Sequence, residues 1–485
     1  MFINPLTCID FYKADHRSQY PKGTNLVYSN FTPRSSKHAE DAGYHTDEIV
    51  FFGLQYFIKY FIQDIFNSTF FKQDKQTVLD VYQKRMDGAL GKNAITTEHI
   101  AALHDLGHLP IEIKAVPEGT KSKIGVPVLT IKNTKPEFFW LTNYLESVMS
   151  NMLWKPCTSA TIAHEYRKVL NEYAEKTGAP KEFTDFQAHD FSFRGMSGVQ
   201  DAASSGAGHL LSFKGTDTVV AIDFLEQFYG ADAAKELVGA SVPATEHSVM
   251  CMGTQENEID TFRRLINETY PKGIVSIVSD TWDFWKVLTE YLPELRDDIL
   301  KRDGKVVIRP DSGDPVDIIC GKSVGPPDTS EGKGAVECLW DVFGGTVNEK
   351  GYKELANNIG LIYGDSITID RAKEILSKLE KKGFASNNVV FGVGSYTYQY
   401  NTRDTFGFAV KSTYGEVDGV GREIFKDPVT DNGVKKSARG LLKVEDGVLL
   451  QQQSTDIGGD LLTVFRDGVI YNMQTLAEIR ERVAT

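Results

Sequence analysis

IGLIYGDSITIDRAKEILSKLEKKG, residues 359–383, is written in two registers. A short apolar run from Ile359 to Tyr363 gives way at Gly364 and Asp365 to a helical stretch, which reads as strand, polar turn and helix. The same grammar recurs in GTDTVVAIDFLEQFYG (215–230), IVSIVSDTWDFWKVLTEYL (274–292), KVVIRPDSGDPVDII (305–319) and NNVVFGVGSYTYQ (387–399). Each unit sets polar residues just after its strand, where parallel α/β folds build their sites. The fold class is α/β, and successive units predict a (β/α) barrel, although an open doubly wound sheet shares the local pattern.

On either side of this region the grammar changes. Helical patterns cover residues 49–66, 71–90 and 137–175, with strands expected at 111–116 and within KIGVPVLTIKNT, residues 123–134. After residue 400 come strand-like runs with glycine turns, FGFAVKSTYG and GVGREIFKDP, and a closing helix near 476–483. We therefore expect residues 1–150 and 400–485 to form one β-rich α+β framework domain and residues 151–399 the barrel. The Gly-rich stretch between Cys320 and Lys353, with its PPDTSEGKG, reads as a surface excursion.

The bulk properties narrow the function. A chain of 485 residues exceeds what one core supports. Acidic residues outnumber basic ones 66 to 53, a formal charge of -13, which argues against phosphate-neutralising nucleic-acid binding. Five dispersed cysteines without a CxxC pair fit reduced thiols and offer no zinc motif. The opening residues carry no secretion-signal pattern, so a cytoplasmic protein is expected. Gln55, Lys59, Gln63 and Asp64 interrupt the most apolar stretch, which makes it a core helix rather than a membrane span. His104 and His108 have metal-pair spacing, but no third ligand is evident and Gly107 weakens the helix between them.

Several motifs place chemistry-bearing side chains at strand ends. In HDFSFRGMSG, residues 189–198, Phe191 and Arg194 precede a run of small residues that can open a closely packed helix. An arginine beside a helix amino terminus suits an anion, though a core aromatic and a surface arginine read the same. Asp217 of GTDT stands where a strand should end, either to accept a hydrogen bond from a substrate N–H or to cap the next helix. His247, in the strand-like SVPATEHSVM, is followed by Asp280 of IVSIVSD. An aspartate that fixes a histidine tautomer frees the other nitrogen as nucleophile or proton carrier; otherwise the histidine is packing.

IRPDSGDP, residues 308–315, flanks a proline with Arg309 and Asp311, a grip for phosphate or ribose hydroxyls or else an ordinary turn. Gly364 and Gly394 fall in the last two units, where barrels bind phosphate through backbone amides. Arg403, Lys411 and Lys426 are separated by short strand lengths and form either a cationic patch or solvated surface charge.

Taken in order, DFYK, HDFSFRG, FKGTDT, SVPATEHS, VSD, IRPDSG, GD and FKDP resemble the nicotinamide phosphoribosyltransferase family over nearly the whole chain. The resemblance implies a type II phosphoribosyltransferase barrel with a β-rich domain from both chain ends, assembled as a homodimer with active sites at the subunit interface. It implies joining nicotinamide to phosphoribosyl pyrophosphate with Mg2+, in a reaction stimulated by ATP through a phosphohistidine at His247 beside Asp280. Phe191 and the partner subunit's Tyr12 would sandwich the pyridine ring. Asp217 would accept the carboxamide N–H, and it would repel the carboxylate of nicotinate.

By the same resemblance Arg194, Ser276, Arg309 and Asp311 would hold base, ribose and phosphates, and Gly364, Asp365 and Gly394 the ribose and 5′-phosphate. Arg34, Arg403, Lys411 and Lys426 would meet pyrophosphate and ATP phosphates. Ser395 and Tyr396 replace glycines of the family's phosphate loop, so contacts there are expected to differ. A nicotinate phosphoribosyltransferase on the same fold and a non-catalytic nucleotide-binding protein remain alternatives. A barrel lyase or aldolase would need a Schiff-base lysine or a metal cluster at a strand end, and neither is evident.

Overall fold

A computed structural model describes residues 3–364, 367–426 and 438–485. The chain divides into two compact units, one of Met1–Thr161, Phe224–Ala231 and Thr402–Thr485, the other of Ile162–Asp223 and Asp232–Asn401.

The first unit is built on a seven-stranded antiparallel sheet, in the order Val420–Glu423, Ala409–Val417, Thr24–Thr32, Leu129–Asn133, Ile111–Ala115, Leu462–Arg466, Val469–Ile470. Both chain ends enter it: Thr24–Thr32 pairs on one edge with Ala409–Val417 and on the other with Leu129–Asn133. The helix expected from residue 49 begins later. Ile49 and Val50 belong to the strand Glu48–Val50, and the chain turns at Gly53, whose φ of 106° favours glycine. The buried Glu118 carboxylate accepts the Gly53 and Gln55 amides, both at 2.6 Å, and so caps the helix that follows. Burial pushes the Glu118 carboxyl up, and those bonds oppose the rise.

Phe57, Phe61, Phe66 and Phe70 line the buried face of that helical stretch, so the apolar run is core. Phe224–Ala231 comes from the middle of the stretch expected to be barrel and belongs with this unit. The rings of Phe224 and Phe228 pack tilted against Tyr56 at 4.7 and 4.9 Å between centroids, and Tyr229 lies 4.9 Å from Phe52.

The second unit holds parallel strands in the order Gly215–Thr216, Ala188–Asp190, Val390–Val393, Ile359–Tyr363, Asp303–Arg309, Lys272–Val278. Its two edges are joined. Gly215 bridges Ala240 and Ala244 bridges Ser276, both parallel, so residues 240–244 close the ring. Thr216 N donates to Ala240 O and Ser276 N to Pro243 O, each at 2.9 Å. The strands thus follow chain order around a barrel, which decides against the open sheet.

Outside the barrel, Val199–His209 buries Ala202, Ala203, Gly206, Ala207 and Gly208. A Cβ at Gly206 would lie 2.8 Å from that of Ala221, so small residues permit the close approach. Ile369–Lys381 buries Ile369, Ala372, Ile375, Leu376 and Leu379, a helical stripe, and the Thr368 side chain caps its start. The region from Cys320 to Lys353 is more than a surface excursion, since Ala335–Phe343 is a helix burying Ala335, Val336, Leu339 and Phe343. His247 is likewise not in a strand; it opens the helix His247–Met252.

Candidate functional site

The barrel gathers its predicted residues at strand carboxyl ends. Asp280, two residues beyond Val278, has a side chain only 4% exposed. Its Oδ2 accepts the amides of Asp311 and Ser312 at 2.9 and 2.7 Å and the Ser312 hydroxyl at 2.5 Å. The carboxylate therefore holds the IRPDSG turn in place. Its Oδ1 is buried without a hydrogen-bond partner among the described residues and stands 3.9 Å from His247 Nε2. At that distance the hydrogen bond expected to fix the His247 tautomer is not made. Thr281 Oγ1 lies 3.2 Å from His247 Nδ1 instead, and Asp311 Oδ2 lies 3.9 Å from Nε2.

Arg309 ends the strand Asp303–Arg309. Its Nη2 donates to Thr245 O at 2.7 Å and its Nε is 3.6 Å from Asp311 Oδ1. Glycine at 364 lets the Asp311 carboxylate sit where a Cβ would otherwise displace it. The Ser276 hydroxyl is buried without a partner among the described residues. Asp365 lies outside the described residues.

Beside this cluster is a second one, around Asp217. Asp217 Oδ1 lies 2.8 Å from His189 Nε2 and accepts the Ser241 hydroxyl at 2.5 Å. Burial would raise the Asp217 carboxyl, but the bonds to His189 and Ser241, with the charge of Arg309, hold it below its ordinary value. The Phe191 ring sits 4.6 Å from that of His189 at 38°. The Asp217 carboxylate and the Phe191 ring thus meet the same imidazole. Sequence reasoning singled out neither His189 nor Ser241, although both stand inside its motifs.

In the other unit, Arg34, Lys13 and Arg403 all lie near enough to Lys411 for their charges to act on it. Burial depresses the Lys411 ammonium, Glu146 opposes that, and Arg34, Lys13 and Arg403 add to the depression. Arg34 Nε donates to Gly407 O at 3.1 Å. Lys13 was missed; it is 5% exposed, pairs with Glu146 and stands 5.2 Å over the ring of Tyr12, itself 60% exposed. Lys426 is exposed, and the rest of its FKDP motif lies outside the described residues.

Residues 186–467 match the nicotinate phosphoribosyltransferase family and residues 4–113 the N-terminal domain of nicotinamide phosphoribosyltransferase. The nicotinamide phosphoribosyltransferase of Acinetobacter baylyi is 60% identical, an alignment covering 99% of this chain and 97% of that one. The chain belongs to the nicotinamide phosphoribosyltransferase family. The family member from Mycoplasma pneumoniae is 36% identical over 88% of this chain and 93% of its own. Among solved structures, nicotinate-nucleotide pyrophosphorylase from Pyrococcus furiosus superposes with a TM-score of 0.56 at 14% identity, covering 100% of this chain and 97% of that one, a likeness of fold alone.

Against the family's glycine-rich loop, Gly394 leads here into the short helix Ser395–Gln399. The Ser395 side chain packs where a Cβ at Gly195 would fall, and Gln399 Nε2 donates to Ser197 Oγ at 2.5 Å. The substitution therefore ties this loop to the one that carries the exposed Arg194. Tyr396 points outward, stacked on Tyr400 at 5.1 Å and 8°.

Proposed function

We propose that this chain transfers phosphoribosyl from phosphoribosyl pyrophosphate to nicotinamide, giving nicotinamide mononucleotide and pyrophosphate. The observation that carries the choice of base is Asp217, held anionic by His189 and Ser241. An anion accepts the N–H of a carboxamide and repels a carboxylate. Phe191 offers the ring a π face.

The pyridine nitrogen attacks ribose C1 while the C1–O bond to pyrophosphate breaks, and pyrophosphate leaves with the bonding electrons. Positive charge on the ribose in the transition state is matched by Asp311 and Asp280, and Arg309 and Arg194 meet phosphate oxygens. Buried Ser276 and the glycine at 364 leave room and polarity for ribose. Among the described residues no three His, Cys, Asp or Glu side chains form a metal cage. In our reading a Mg2+ ion would be carried by the phosphates of the substrate and would neutralise charge on the leaving group.

ATP enters our reading as a stimulating co-substrate that phosphorylates His247, with Arg34, Arg403, Lys411 and Lys426 as contacts for ATP phosphates and pyrophosphate. A homodimer in which the partner subunit's Tyr12 covers the base completes it. Five cysteines free of disulfides accord with a reducing compartment such as the cytoplasm.

The test is product analysis by mass spectrometry with phosphoribosyl pyrophosphate, Mg2+ and either base, with and without γ-labelled ATP. Nicotinamide mononucleotide from the amide alone, with ATP-dependent label on His247, is the expected result. Nucleotide from nicotinate alone overturns the assignment of base, and absence of label overturns the role of His247.

A further inference from the structure

We infer that His189 positions the Asp217 carboxylate for choosing an amide over an acid, an inference that rests on the phosphoribosyl-transfer reading above. In the strand Ala188–Asp190, Ala188 and Asp190 are wholly buried, so alternation turns His189 to the other face with Phe191. Across the parallel pair the partner of His189 is Gly215. A Cβ at that position would lie 2.8 Å from His189 Nδ1, so the glycine makes room for the imidazole.

The histidine side chain is 12% exposed, with its ring tilted on Phe191. Two residues after Gly215 comes Asp217, whose amide is pinned to Asp190 O at 2.9 Å. The imidazole and the carboxylate are thus both anchored by the same pair of strands.

The consequence lies in which oxygen is used. His189 Nε2 and the Ser241 hydroxyl both meet Asp217 Oδ1, which leaves Oδ2 for the N–H of an incoming amide. The charge of Arg309 also attracts this carboxylate. Without the bond from His189 that attraction acts with one opponent fewer, and the carboxylate turns toward the phosphate-gripping arginine and away from the base. His189 touches neither reacting atom, and it acts through Asp217.

The experiment measures kcat and KM for nicotinamide and nicotinate in the wild type, His189→Ala, His189→Gln, Asp217→Asn and the His189→Ala/Asp217→Asn pair. Calorimetric affinities for both bases are taken on the same proteins. A hydrogen bond to a charged group is large enough that His189→Ala should lose roughly tenfold of the preference for the amide. The loss should fall chiefly on the KM for nicotinamide. Glutamine, which keeps a donor near Nε2, should restore most of it, and alanine should add nothing once Asp217 is Asn.

An unchanged preference in His189→Ala, an equal fall in kcat for both bases, or failure of glutamine to rescue overturns the inference. Wild-type protein that makes nucleotide from neither base overturns the functional reading instead. The calorimetric ratio of wild type to His189→Ala then still decides whether His189 positions Asp217.

Discussion

Asp280 and Arg403 are both charged side chains at candidate sites, yet they are held in opposite ways. The Asp280 carboxylate is 4% exposed and takes three donors on one oxygen from a single turn. The Arg403 guanidinium is 53% exposed and its ion pair among the described residues is with the neighbouring Asp404, at 3.4 Å. Asp280 is held in place before any ligand arrives; Arg403 is left free to move. Bond making at C1 tolerates little displacement, so its charges must be fixed before substrate arrives. Phosphates carry charge on several oxygens and can be gripped by side chains that move to meet them.

That difference makes Asp280→Ala the most damaging change expected. Losing several hydrogen bonds to a buried carboxylate releases the IRPDSG turn, and kcat/KM should fall about a hundredfold or more. The fall should be nearly independent of salt, and steady-state kinetics at two ionic strengths check both. A loss below threefold would erase the contrast. Arg403→Ala should cost less, raising the KM for phosphoribosyl pyrophosphate roughly fivefold with kcat little changed. Its exposure predicts that added salt weakens the wild type toward the variant.

The smallest effect concerns two buried histidines, one in each unit. Burial lowers both His99 and His209 to about 4. His209 is satisfied, with Tyr398 Oη at 2.6 Å and Gly215 O at 2.9 Å. Both ring nitrogens of His99 are buried without a partner among the described residues, and its ring lies edge-on to Trp140. A histidine with a depressed folded value contributes fully above its ordinary 6.5, and the contribution is lost as pH falls from there toward about 4. Between pH 7.5 and 5.5 His99 should account for about 1 kcal/mol of lost stability. His99→Phe should remove that part of the acid sensitivity in denaturant titrations, and an unaltered pH dependence would refute the assignment.

The barrel units were legible because each strand–turn–helix sequence switches period at a polar residue, which is why Asp217, Asp280 and Arg309 fell at strand ends. Ring closure by residues 240–244 was not, since a few bridging residues carry no periodicity. Phe224–Ala231 continues a helical pattern without a break, and contacts distant in sequence assign it to the antiparallel unit: its rings on Tyr56, the bonds from Gln55 and Lys59 to Phe228 O, and that from Tyr229 to Glu118. His189 and Ser241 escaped notice because their importance lies in sharing one oxygen of Asp217, a relation between three distant motifs. Lys13 escaped for the same reason, its partner Glu146 standing far along the chain.

The most direct test of the central claim, that the Asp217 carboxylate selects the base, is the ratio of kcat/KM for nicotinamide to that for nicotinate in Asp217→Asn against wild type. Removing the charge should lower the ratio at least tenfold, on the order of a lost charged hydrogen bond, with the rate on nicotinate rising. An unchanged ratio, with both bases slowed alike, would contradict it.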